Sequence, residues 1–153
     1  LGGFTSVPGA IVGGLIIGVV ESLAAGYLDS MVGGGTRDVV ASVIILLTVL
    51  AVVVALSEVA SNIATASMMM PVLAALATSI GAHPFGLLLS ATMAASFGFG
   101  LPIATAPNTI VFSSGYMSTR DMARAGFLLD AVAILLLLAF LYGVLPLVWG
   151  IRV

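Results

Sequence analysis

Two polar stretches with helix-breaking character interrupt otherwise continuous apolar sequence: Ser57-Glu58-Val59-Ala60-Ser61-Asn62-Ile63-Ala64-Thr65 and Leu101-Pro102-Ile103-Ala104-Thr105-Ala106-Pro107-Asn108-Thr109. Irregular backbone at membrane depth persists only where protein buries it or where it lines a cavity, and such breaks are where transporters build ion and substrate sites. The surrounding sequence places both breaks at that depth. Of the 153 residues, 61% are hydrophobic and 7% charged, and the mean hydropathy is +1.33, too little charge to cover a soluble domain. At roughly 20 apolar residues per crossing, the chain supplies about four or five membrane-embedded segments. The expected fold class is therefore an all-α integral membrane protein, and the lipid bilayer is its first partner.

Other classes drop out. Cysteine is absent, which removes disulfides, thiolate metal sites and cysteine nucleophiles. A net charge of -2, with arginines dispersed at Arg37, Arg120, Arg124 and Arg152, excludes a nucleic-acid interface. His83 is the only histidine, so neither a triad nor a two-histidine metal site can be assembled, and its place before Pro84 reads as a helix start. Gly33-Gly34-Gly35 lacks the context of a phosphate-binding loop. Met68-Met69-Met70 reads as core packing. No enzyme and no cofactor is expected. The start at Leu1, without a basic segment before the apolar run, reads as internal to a longer chain and not as a signal peptide.

Along the chain, residues 9–28 form a glycine-rich apolar block with a Gly14/Gly18 pair suited to close helix packing. Thr36-Arg37-Asp38 reads as an interfacial turn, and residues 39–56 as a second block running into the first break. Residues 66–80, with Pro71 inside, have the length of a re-entrant arm and are expected to kink. Residues 85–100 lead to the second break. Residues 125–149 form a long last helix, preceded by Arg120, Asp121 and Arg124 in a loop placed on the cytoplasmic side by its positive charge. Asp130 falls near the start of that helix, as either an intramembrane functional acid or an interfacial one. Glu58 reads as an acid facing water at the mouth of the first break.

The breaks suit one chemistry. A hard monovalent cation takes oxygen ligands, including carbonyls released by unwound helix, and hydroxyl and amide groups add more. Ser57, Ser61, Asn62 and Thr65 supply them at the first break, and Thr105, Asn108 and Thr109 at the second. Helix amino termini after each break present free amides to an anion. The same residue types also serve as ordinary helix–helix contacts in membranes, and proline breaks as simple kinks.

From Leu56 through Thr65, then Met70-Pro71, His83-Pro84, Leu101 through Phe112, Gly115-Tyr116, Arg120-Asp121-Met122 and Gly126, the sequence resembles the carboxy-terminal repeat of the divalent anion/sodium symporters, which include sodium-coupled dicarboxylate and citrate carriers. The resemblance covers residues 46–149. It implies a re-entrant hairpin (46–80) with Ser61-Asn62 at its tip, a discontinuous helix (85–117) unwound between Pro102 and Asn108, and a last helix (125–149). It further implies sodium as the coupling ion, coordinated by Ser57, Ala60, Asn62 and Ala104, and a succinate- or citrate-like anion approached by Ser61, Asn62 and Thr105. Elevator-type transport, a homodimer and a bacterial inner membrane follow from the same resemblance. The chain departs from the family pattern at Ile63, where the Ser-Asn-Thr motif has its hydroxyl, and at Ala106, where many members have proline. The motifs quoted are those of one repeat, and the first sodium site belongs to the other.

Residues 1–41 resemble a different class, the permeases of ATP-driven branched-chain amino acid transporters, through Gly2 to Ala10, Gly18 to Leu28 and Thr36 to Val40. That resemblance divides the chain into 1–41 and 42–153. It leaves two alternative functions: a segment of such a permease, or a composite membrane fragment that transports nothing.

Overall fold

The computed structural model describes residues 35–150, together with Leu15, Gly18, Val19, Ser22 and Leu23 as helical positions before them. Residues 35–150 form six α-helices, and no strands occur among the described residues: α1 (Thr36–Ser57), α2 (Asn62–Ser79), α3 (Pro84–Ala94), α4 (Ala106–Ser113), α5 (Thr119–Gly143) and α6 (Leu145–Trp149). The all-helical expectation holds. Three segments, Arg37–Ser57, Asn62–Ser79 and Thr119–Val148, are long and apolar enough to cross a membrane. The permease-like stretch lies mostly outside the described residues, as does Gly14 of the glycine pair.

The chain divides into two compact units, Leu1–Ile45 and Leu46–Val153. In the first, the described part is essentially the opening of α1, with Asp38 in its first turn, where a negative charge complements the helix dipole. The second holds the core, and helical spacing builds it. Leu46, Leu50, Val53 and Val54 face inward from α1, Leu87, Ala91 and Ala94 from α3, and Ile134, Leu137 and Leu141 from α5. These positions recur every three or four residues, so each helix buries one stripe. α2 packs on α3, α3 on α5, and α5 on α6.

Helix starts are set by caps. The side chain of Ser61 accepts from the Ala64 amide at 3.4 Å and opens α2. His83 caps α3 through Nδ1, as its turn position implies, with Pro84 at the first helical position. Ser118 and Asp121 form a reciprocal capping box that starts α5 at Thr119. The last helix thus begins six residues before the expected 125, and Asp130 lies about three turns inside it.

The irregular segments are also displaced from their expected places. At the first break only residues 58–61 leave the helix, because the cap at Ser61 folds Asn62 to Thr65 into the first turn of α2. α2 therefore reaches 18 residues, and Pro71 sits inside it without ending it. The second break is longer than expected on its amino-terminal side. α3 stops at Ala94, and residues 95–105 run without α-helix until α4 begins at Ala106.

Candidate functional site

A segment of eleven irregular residues among membrane helices must have its amides and carbonyls satisfied by protein. Side chains from two directions do this for residues 95–105. The Ser57 hydroxyl, at the carboxy-terminal end of α1, is placed to donate to the carbonyls of Phe97 and Val54. Glu58 accepts from the Gly100 amide through Oε1 and from the Leu101 amide through Oε2, both at 2.7 Å. From α4, Asn108 Nδ2 donates to the carbonyls of Gly98 (2.8 Å) and Leu101 (3.0 Å). Thr109 Oγ1 donates to Pro102 O at 2.6 Å. The two breaks are therefore tied to each other by hydrogen bonds.

Glu58 corrects a sequence expectation. It is 3% exposed and does not face water, because its carboxylate replaces the helical partners that the Gly100 and Leu101 amides lack. Such charge-assisted bonds are roughly twice as strong as neutral ones. Asp130 is likewise buried within the protein. It is 4% exposed and lies on the buried stripe of α5 with Met122, Gly126, Ile134 and Leu137. Its carboxyl stands beside that of Glu58 and against the backbone of Phe99, without an ordinary hydrogen bond from either oxygen.

Of the residues implicated from the sequence, Ser57 and Ala104 are brought together. A Cβ on Gly98 would lie 3.5 Å from Ala104 Cβ and 3.6 Å from both the carbonyl and the hydroxyl oxygen of Ser57, so all three residues line one spot. Asn62 is half-buried in the first turn of α2, and its Oδ1 is buried without a hydrogen-bond partner. Thr65 Oγ1, one turn on, is in the same condition. Ser61 and Ala60 are exposed at the turn between α1 and α2. Thr105 caps α4 by accepting from the Asn108 amide at 3.4 Å. Ile63, at the departure from the Ser-Asn-Thr motif, is 81% exposed. No group of three or more His, Cys, Asp or Glu residues that could hold a metal ion occurs among the described residues.

Sequence reasoning missed Glu58 and Gly126 as organisers of the break. For Gly126 the signal was its place four residues before Asp130 on the stripe that continues through Ile134 and Leu137. For Glu58 there was no local signal, since its partners lie more than forty residues away.

Residues 14–149 match the family model described as the sodium:sulfate symporter transmembrane region. The chain is also 41% identical over 97 residues to the sodium-dependent dicarboxylate transporter SdcS of Staphylococcus aureus, in strains USA300, NCTC 8325 and COL alike. That match covers 63% of this chain and 19% of the relative, so the chain spans about a fifth of the relatives it matches. The family match begins at residue 14 and takes in most of the stretch that resembles a permease, so the permease alternative is not favoured. The chain belongs to the sodium:sulfate symporter transmembrane-region family, a family of transporters and not of enzymes.

Proposed function

We propose that this chain forms one half of the binding site of a sodium-coupled symporter for di- or tricarboxylate anions, in the inner membrane of a bacterium. The observation that carries the reading is the convergence of Ser57 and Ala104 beside Gly98. It joins the end of α1 to the irregular segment before α4, the two places where the sequence offers oxygen ligands.

In this reading the turn between α1 and α2 is the tip of a re-entrant hairpin, and residues 95–105 are the unwound part of a discontinuous helix made of α3 and α4. By length alone α1 and α2 could each cross the membrane; the family and the ties between the two breaks favour the hairpin. Sodium is held by Ser57, Ala60, Asn62 and Ala104, the anion by Ser61, Asn62 and Thr105. The donor set fits a hard cation, and the buried, unpartnered Oδ1 of Asn62 is an acceptor in need of one. The Ser57 hydroxyl already faces carbonyls, which leaves its own oxygens as the cation ligand. At Thr105 the backbone enters α4, and a helix amino terminus favours a carboxylate. The other half of the anion's ligands comes from the other repeat of the transporter, which works as a homodimer.

The test is thermal stability of the detergent-purified protein with succinate or citrate, in sodium and then in choline, because a ligand of the folded state raises apparent stability by mass action. Stabilisation is expected only with sodium and acid together. Equal stabilisation in choline would remove sodium from the site, and no shift in any combination would leave the chain a membrane fragment that binds neither.

A further inference from the structure

The ties on residues 95–105 come from Ser57 and Glu58 on one side and from Asn108 and Thr109 on the other, with one exception. α5, which carries none of the ligands proposed above, touches the same segment through Gly126, Phe127 and Asp130. A Cβ on Gly126 would lie 2.0 Å from the Phe99 carbonyl oxygen and 2.4 Å from Gly100 Cα, so the backbone of α5 and that of the segment are in direct contact. One turn further on, the Asp130 carboxyl stands against the Phe99 backbone and beside Glu58. Phe99, Gly100 and Leu101 are thus met in succession by one carboxyl from α5 and one from the α1–α2 turn. Consecutive backbone amides presented together are a natural seat for anionic groups.

Packing alone does not call for an acid at position 130. A leucine would continue the stripe of Ile134 and Leu137 without the cost of burying a carboxyl that has no ordinary hydrogen bond. We infer that Asp130 is a positioning residue: with Gly126 and Glu58 it fixes the 99–101 backbone and so sets where Ala104 and Thr105 stand for cation and anion binding. The inference rests on the binding site proposed above and assigns a role to a helix outside it. Asp130 acts through Glu58 and the segment, and touches neither ligand.

The experiment is a sodium titration of the succinate-induced thermal shift, for the unaltered protein, Asp130→Ala and Asp130→Asn. Loss of groups that orient ligands typically weakens cation affinity by about 10- to 100-fold. Asp130→Ala is expected to raise the half-saturating sodium concentration by about 10-fold or more. Asp130→Asn, whose amide can still meet both Glu58 and the Phe99 backbone, is expected to restore it to within about twofold of the unaltered protein. If Asp130→Ala cannot be recovered folded, Asp130→Leu refills the stripe and is read in the same way. An unchanged half-saturation in Asp130→Ala or Asp130→Leu, or an Asp130→Asn protein no better than these, overturns the positioning role while leaving the site intact. No sodium-dependent shift in the unaltered protein removes the site itself, and the inference with it.

Discussion

Gly126 lies directly against Phe99: a methyl group added at residue 126 would meet the Phe99 carbonyl oxygen at 2.0 Å and its carbon at 2.3 Å. The obstacle is backbone, which cannot rotate away as a side chain would. Gly126→Ala must push α5 and the irregular segment apart, opening the packing that buries Asp130 and Glu58. Overpacking of this kind typically costs about 1–3 kcal/mol, occasionally more. A lowered melting temperature in detergent is expected, and an unchanged one would mean that the helix and the segment do not touch.

Glu58→Gln keeps the size of the side chain but replaces one acceptor oxygen with a donor. Either the Gly100 or the Leu101 amide would then face another N–H group. Hydrogen bonds to charged groups contribute about 1.5–3 kcal/mol, and leaving a buried amide unpaired adds to the loss. Glu58→Gln is therefore expected to be destabilised by about 2 kcal/mol or more, measured by chemical or thermal unfolding. Stability equal to that of the unaltered protein would show that the carboxylate is not what holds the break.

At Asn108 the sign of the polar group is decisive. Its Nδ2 donates to two carbonyls, those of Gly98 and Leu101. Asn108→Ala strands the Gly98 carbonyl and leaves that of Leu101 with the Ala104 amide alone, a loss of about 1–3 kcal/mol. Asn108→Asp brings a carboxylate against the same two carbonyls and is expected to be worse. The order of stability Asn, then Ala, then Asp is checked by melting temperature; Asp above Ala would rule out the donor geometry.

A control lies at the start of α5. Ser118 and Asp121 cap each other's backbone in an exposed turn. Ser118→Ala is expected to cost about 1 kcal/mol. It should lower melting temperature slightly and leave the sodium dependence of any anion-induced shift unaltered, in contrast to Asp130→Ala.

The apolar runs made the helices legible, and the polar stretches at 57–65 and 101–109 marked where they break. What the sequence could not show was direction. Glu58 looks solvated when read with its neighbours Val59 and Ser61, because the amides that accept its burial belong to residues 100 and 101. The early end of α3 has the same cause. Residues 95–100 continue an apolar run, yet Ser57 and Glu58 take up the backbone groups of Phe97 and Gly100, and Gly126 packs against the backbone of Phe99. Asp130 was closer to legible, since Gly126, Asp130, Ile134, Leu137 and Leu141 follow helical spacing and put the acid on the inner face.

Asn62 separates binding from folding most cleanly. Its Oδ1 is buried and makes no hydrogen bond within the described chain. The cap that starts α2 belongs to Ser61 and not to Asn62. Asn62→Ala therefore removes no bond that holds the fold, relieves an unpaired buried acceptor, and improves helix propensity by a few tenths of a kcal/mol. Stability without ligand should stay equal or rise slightly. If Asn62 serves both sodium and anion, the shift induced by succinate in sodium should disappear in the same variant. Those two results point in opposite directions, so general damage to the protein cannot produce them together. A shift in Asn62→Ala as large as in the unaltered protein would take the α1–α2 turn out of the site, and would leave the convergence of Ser57 and Ala104 as a packing contact only.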